Sequence, residues 1–297
     1  MTRRAAMVIL NHNDTGNTVR LCRQMAGCDD IARIVVADNS GPAGRCAPEQ
    51  LPAKAELLPV GNHGYARGNN DAIAHLEEIG GFDYLFISNP DVIVPDQAVA
   101  ACLDFLDAHP QYALAAPHML HSDGTPHHLT GWKEKDFVCD LAYCSGVLSR
   151  LIGIDREAYP CEYWRTDFSD VDCVSGSFFA ARLAPFRQIG FFDPHTFLFY
   201  EEDIIGFKLK RLGHRADILN CVSFTHLEGA SIGQSAGVVR RYCHMQKSRL
   251  YFQHRYKRVG AARYTLLCAA TCLGFAEKLL KALYLKISGK QHGKKVF

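Results

Sequence analysis

Four short stretches of the 297-residue chain carry residues whose types and spacing suit chemistry. The first is Ser88-Asn89-Pro90-Asp91. Pro90 cannot continue a central strand, so the chain leaves a sheet here and presents an amide oxygen and a carboxylate two positions apart. Both are hard oxygen ligands suited to Mg²⁺ or Mn²⁺; the plain alternative is an Asp that opens the next turn. The second stretch, Gly61-Asn62-His63-Gly64-Tyr65-Ala66-Arg67-Gly68-Asn69-Asn70, opens a helix. Its glycines let backbone approach a ligand, helix N–H groups favour phosphate, and Arg67 can neutralise it. It is neither G-x-G-x-x-G nor a P-loop, so a glycine-rich turn with incidental Arg and Asn stays open. The third, Phe197 to Asp203, sets Glu201, Glu202 and Asp203 directly behind an aromatic run. Crowded carboxylates raise one another's pKa and favour a general base, whereas a helix that starts there is also stabilised by acids in its first turn. The fourth is His226, after an apolar run, a metal ligand or a hydrogen-bonded structural histidine. The pair His127-His128 takes the structural reading.

These residues need elements to hold them. Ala5–Leu10, Ile34–Ala37, Leu57–Val60, Tyr84–Ser88 and Tyr112–Pro117 are apolar runs with the profile of buried strands. Helices are predicted over Thr15–Met25, Asn69–Ile79 and Asp96–Ala108 between them. The alternation predicts an α/β chain with a doubly wound, mainly parallel sheet. Asn11, Asp38 and Asn89 each follow a strand, and the carboxyl ends of strands form the ligand crevice of such sheets. Residues 122–172 read as an irregular insertion whose Trp132, Tyr143, Tyr163 and Trp164 are core aromatics or surfaces for an acceptor sugar. Beyond it, Val174–Ala181 reads as a strand, and Leu183–Ile189, Asp203–Leu212, Ser235–His254 and Tyr264–Ile287 as helices. Residues 1–234 are thus expected to form the catalytic domain, and 235–297 a helical, basic appendage.

Hydrophobic residues make up 48% and charged residues 22%, a globular composition, and the net charge of +2 gives no footprint for nucleic acid. The 12 cysteines are scattered without a C-x-x-C pair, which argues for buried thiols in a reducing compartment. Thr2-Arg3-Arg4 is followed by too short an apolar run for a signal peptide, so a cytoplasmic location is expected. Near the other end, Tyr264 to Phe275 is apolar, and Lys278, Lys281, Lys286, Lys290, Lys294 and Lys295 follow. No span of about 20 apolar residues occurs there, so an interfacial helix on anionic lipid fits better than a transmembrane one. A core or oligomer-interface helix with a basic tail is the alternative.

In order along the chain stand V-I-L-N-H-N-D from Val8, V-V-A-D-N-S at Val35–Ser40, G-Y-A-R-G-N-N at Gly64–Asn70 and S-N-P-D-V at Ser88–Val92. V-S-G-S-F-F follows at Val174–Phe179, then G-F-F-D and F-L-F-Y-E-E-D within Gly190–Asp203, and H-x-x-G-x-S at His226–Ser231. This series resembles the family 2 glycosyltransferases, in particular their rhamnosyltransferase- and galactofuranosyltransferase-like branch of bacterial polysaccharide assembly. The resemblance implies a GT-A fold and inverting transfer of a sugar from a nucleotide diphosphate donor (UDP- or dTDP-linked) to a hydroxyl of a glycan or lipid-linked acceptor. It implies that Asp38 holds the base or ribose, that Asn11 and Asn13 line the same pocket, and that Asn62, Arg67 and Asn70 border the nucleotide. It places Asn89 and Gly176 at the donor and gives a divalent metal, Mn²⁺ or Mg²⁺, to Asp91 and His226. Relatives commonly carry E-D-x-D-L where this chain has Glu201-Glu202-Asp203-Ile204-Ile205. Gap-free alignment sets Glu202 at the catalytic position, with Asp203 the alternative base. The departure keeps a catalytically inactive scaffold in view. A sugar nucleotidyltransferase is disfavoured, because Ala5–Thr15 lacks its glycine-rich basic loop.

Overall fold

The computed structural model describes residues 4–227 and 235–288. Gly229 and Ser231 of the H-x-x-G-x-S pattern, and Lys290, Lys294 and Lys295, lie outside the described residues. Two compact units result, one of residues 1–134, 158–197 and 201–228, the other of 135–157, 198–200 and 229–297.

The first unit begins with β1 (Ala5–Asn11), α1 (Thr15–Ala26), β2 (Ile31–Asp38), β3 (Ala55–Pro59), α2 (Tyr65–Ile79) and β4 (Tyr84–Ser88). It continues with β5 (Val92–Ile93), α3 (Asp96–Ala108), β6 (Tyr112–Leu120) and β7 (Gly131–Trp132). The second unit contributes α4 (Phe137–Ala142) and α5 (Gly146–Ile152) before the chain returns. The first unit then adds β8 (Phe168–Val171), β9 (Cys173–Val174), β10 (Phe178–Arg182), α6 (Leu183–Gln188), α7 (Glu201–Arg211) and β11 (Arg215–His226). Finally α8 (Ser235–Arg255) and α9 (Ala261–Ser288) complete the second unit.

Strand alternation explains the layers. Every residue of β1 is buried, because side chains of successive residues leave opposite faces of a sheet that is covered on both. Ala5, Met7 and Ile9 join Leu21 and Met25 of α1 and Val99 and Leu103 of α3 in one core layer. Ala6, Val8 and Leu10 join Ala66, Ile73 and Leu76 of α2 and Ile205 and Leu209 of α7 in the other. The nine-stranded sheet runs β3-β2-β1-β4-β10-β6-β11-β5, with β8 also on β11. The pairs among β3, β2, β1 and β4 and the β6–β11 pair are parallel, whereas β10, β8 and β5 join their neighbours antiparallel.

The sequence expectations differ from the structure in four informative places. Helix α2 starts at Tyr65 rather than Asn69, because Gly64 takes φ of 97° and the Tyr65 N–H donates to Phe197 O at 2.8 Å. Strand β6 runs through Pro117 to Leu120; Pro117 pairs with Leu219 where the β6–β11 register shifts, and such an irregularity tolerates a residue without an N–H. The stretch 174–181 is two strands, β9 and β10, separated by Ser175-Gly176-Ser177. Helix α7 begins at Glu201, so all three acids belong to its first turn.

Within the second unit, Leu267 and Ala270 of α9 pack with Cys144, and a side chain on Gly274 would lie 1.9 Å from Cys144 O. Arg249 and Asp140, both buried, meet around Tyr200: Arg249 Nε donates to Tyr200 Oη at 2.7 Å and Tyr200 Oη donates to Asp140. Gln253 also donates to Asp140, at 2.5 Å. Among the described residues no helix is long and apolar enough to cross a membrane.

Candidate active site

The carboxyl ends of β1, β2 and β4 set the floor of the site. Asn11 and Asp38 face each other in register at the ends of β1 and β2. Both are fully buried and their polar atoms are engaged. Asp38 accepts the N–H groups of Ser40 and Cys46 at 2.9 and 2.8 Å, which folds the loop after β2 back on itself. Asn11 donates to Ser40 Oγ at 3.2 Å and accepts from the Asp14 N–H and Thr18 Oγ1 at 3.1 and 3.0 Å. Asn13, exposed and with φ of 57°, donates its N–H to the same Ser40 hydroxyl at 2.7 Å. Ser40, which the sequence did not single out, thus ties these two loops together.

Helix α2 supplies the second side. Asn62 is exposed in the turn that precedes it, and Arg67, also exposed, donates through Nε to Pro194 O at 2.9 Å. Asn70 makes a two-way clamp, donating to Phe192 O at 2.9 Å and accepting the Phe192 N–H at 3.1 Å. Tyr65, which nothing in its motif marks as a site residue, donates its hydroxyl to Gly176 O at 2.8 Å. Burial, then the charges of Glu202 and Glu201, push its phenol well above the ordinary value.

The turn between β9 and β10 brings the third side. Phe178 pairs with Ser88, and the Asn89 N–H donates to Ser177 O at 2.8 Å, which puts Gly176 beside the end of β4. A Cβ on Gly176 would lie 2.3 Å from Glu202 Oε1 and 3.3 Å from the Tyr65 hydroxyl. The half-buried Glu202 carboxylate therefore occupies the space that a side chain at 176 would take.

The three acids of α7 diverge because consecutive helical residues point about 100° apart. Glu201 is buried with Oε1 unpartnered, and its pKa rises to about 8 through burial, then the charges of Glu202 and Asp203. Asp203 is buried and accepts the Trp132 indole N–H at 3.2 Å. Glu201 thus turns inward, while Glu202 is the acid that stands against Gly176. Trp132, itself buried, takes the core alternative rather than an open sugar-stacking surface. Immediately before this turn, Phe199 and Tyr200 hold φ of 73° and 70°. Each such backbone costs on the order of 1–3 kcal/mol in a non-glycine residue, so the entry to α7 stores strain.

Asp91 and His226 meet through an element absent from the expectation, the two-residue strand β5, where Val92 pairs with His226 of β11. The Leu227 N–H donates to Asp91 O at 2.8 Å, and His226 Nε2 lies 3.3 Å from Asp91 Oδ1. Their side chains are 20% and 17% exposed. A carboxylate oxygen beside an imidazole nitrogen fits a Mn²⁺-class cation.

No protein-family model matches the chain. Rhamnosyltransferase WbbL of Escherichia coli (strain K12) is 21% identical over 236 residues, covering 77% of this chain and 87% of that protein. N-acetylglucosaminyl-diphospho-decaprenol L-rhamnosyltransferase of Mycobacterium tuberculosis (strain CDC 1551 / Oshkosh) is 24% identical over 220 residues, covering 68% of each. Among solved structures, GalNAc-T7 with UDP, GalNAc and Mn²⁺ matches with a TM-score of 0.60 at 13% identity, over 96% of this chain. The chain spans 57% of the length of GalNAc-T7. The fold is that of the GT-A glycosyltransferases. On that fold the sequence is similar to that of rhamnosyltransferases, at 21% and 24% identity.

Proposed function

We propose that the chain is an inverting glycosyltransferase that moves a sugar from a nucleotide diphosphate donor to a hydroxyl of a glycan or lipid-linked acceptor in cell-surface polysaccharide assembly. The observation that carries this reading is the Glu202 carboxylate held against Gly176, beside the end of β4. The acceptor oxygen attacks the anomeric carbon, its proton passes to Glu202, and the sugar–phosphate bond breaks with its electron pair on the leaving diphosphate. Gly176 leaves room for the Glu202 carboxylate beside the donor site, and Tyr65 fixes the Gly176 carbonyl. Asn13, Asn62, Arg67 and Asn89 line the nucleotide, with Arg67 placed to offset diphosphate charge. Asp38 would hold the base or ribose, with Asn11 in the same pocket and Asn70 bordering the nucleotide, and all three brace the pocket wall through hydrogen bonds within the protein. Asp91 and His226 are the residues that would hold a divalent cation, which when bound neutralises charge on the diphosphate. Asp203 braces the first turn of α7 rather than taking the proton.

The reaction is placed at the cytoplasmic face of the membrane, with the C-terminal helices as a peripheral seat. Thermal shift of purified protein against a panel of nucleotide sugars with Mn²⁺ tests the donor class. A UDP- or dTDP-sugar should stabilise the wild type, and Asp91→Ala should abolish the Mn²⁺-dependent part of that shift. Full Mn²⁺-dependent stabilisation of Asp91→Ala would remove the metal assignment.

A further inference from the structure

The chain is almost neutral overall, but its charge is segregated. Residues 235–297 hold fourteen Lys or Arg and one acid, Glu277, whereas residues 1–234 hold nineteen Lys or Arg and thirty acids. The carboxylate of Glu277 is occupied: it accepts the Gly146 and Val147 N–H groups at 2.6 and 3.2 Å. The C-terminal segment therefore presents a positive field with almost no internal compensation.

The same segment carries an uncovered apolar face. Leu267, Ala270 and Gly274 of α9 point into the second unit. Leu266, Leu273 and Leu280, spaced seven residues apart, form an exposed stripe that Tyr284 extends, flanked by exposed Leu279 and Leu283. Leu280 is 67% and Tyr284 64% exposed, and it is the grouping of such side chains on one helix that marks an interaction face. Lys278 and Lys281 interleave with the stripe in sequence.

We propose that this face of α9 docks on an anionic phospholipid bilayer, the apolar residues entering the headgroup–acyl boundary and the surrounding cations meeting lipid phosphates. The apolar face and the one-sided charge together fit a helix lying in the interface, and α9 falls short of a membrane span. A second copy of this chain would also cover the leucines, but it would bring its own cations against the first set, thirteen on each besides the buried Arg249. Anionic lipid removes that repulsion. The inference deepens the membrane seat of the proposed function, and it rests on the C-terminal segment alone, so its test needs no turnover.

The experiment is co-sedimentation of the full chain with vesicles of phosphatidylglycerol mixed into phosphatidylcholine, and with vesicles of phosphatidylcholine alone. Binding to the mixed vesicles, weak binding to the neutral ones and release by high salt are expected. At about 1 kcal/mol per cation near the surface, Lys278→Gln/Lys281→Gln should weaken partitioning on the order of 25-fold. Leu280→Glu/Leu283→Glu should weaken it on the order of a hundredfold or more while leaving the circular dichroism unchanged, since both side chains are exposed. Glu202→Gln should bind vesicles as the wild type does, which separates failure of the membrane claim from failure of the catalytic one. Equal binding to neutral and anionic vesicles, unchanged binding by the Leu280/Leu283 variant, or a dimer that ignores vesicles would each overturn the proposal.

Discussion

Replacing Gly176 by Ala probes the placement of Glu202 without touching Glu202 itself. The added Cβ would lie 2.3 Å from Glu202 Oε1, whereas an ordinary C···O contact needs about 3.3 Å. The carboxylate must therefore retreat by roughly 1 Å, and misplacing a reacting group by that much costs on the order of a hundredfold in rate, about 2.7 kcal/mol of barrier. The structural cost is smaller. The atom that must move is the end of a flexible, half-buried side chain, so an off-rotamer penalty of about 1 kcal/mol is the expected loss of stability. The assay is steady-state transfer at saturating donor and acceptor, with donor affinity measured separately and urea unfolding as a control. The account predicts a large fall in kcat with a folded protein. A variant with kcat within about threefold of wild type would refute the idea that Glu202 is held in reacting position by this contact.

Three further outcomes follow from the first turn of α7 and from the second unit. Glu201 is an acid whose folded pKa, about 8, stands above its ordinary value, so its folded form is favoured only while protonated. Stability should fall as the pH rises above the ordinary glutamate range, and Glu201→Gln should remove that slope; parallel urea-midpoint profiles for the two proteins would contradict it. Trp132→Phe deletes the indole N–H that Asp203 accepts, and should cost about 1–3 kcal/mol in urea unfolding while the folded enzyme keeps kcat within about tenfold; an undiminished stability would show that Asp203 does not depend on that bond. Arg249→Met strands the buried carboxylate of Asp140, and should destabilise by about 3–5 kcal/mol by urea unfolding, with Asp140→Asn on the same chain recovering part of the loss; a near-neutral single variant would contradict the buried pairing.

Much of the architecture was legible because buried strands write themselves as short apolar runs closed by polar residues. β1, β4 and α3 stand within one residue of their expected bounds. What escaped depends on partners distant in sequence. Nothing local marks Val92–Ile93 as a strand; β11 makes it one, and that pairing brings Asp91 to His226. The start of α2 at Tyr65 depends on a carbonyl at residue 197, and the role of Trp132 on a carboxylate 71 residues away. The types of the site residues were readable, whereas their division of labour was not. Asp38, Asn11 and Asn70, expected at the donor, also make hydrogen bonds within the protein that the sequence does not show. Only the helical geometry of α7 distinguishes inward Glu201 from Glu202.

The central claim, sugar transfer with Glu202 as the base, is tested most directly by following nucleoside diphosphate release and product formation together. Wild type, Glu202→Gln and Asp203→Asn would be compared at saturating donor with Mn²⁺. Acceptor-dependent release by the wild type is expected, with a loss on the order of a hundredfold or more in Glu202→Gln at retained donor affinity and a much smaller loss in Asp203→Asn. A wild type that binds donor but never transfers its sugar, or a Glu202→Gln variant as fast as wild type, would contradict it.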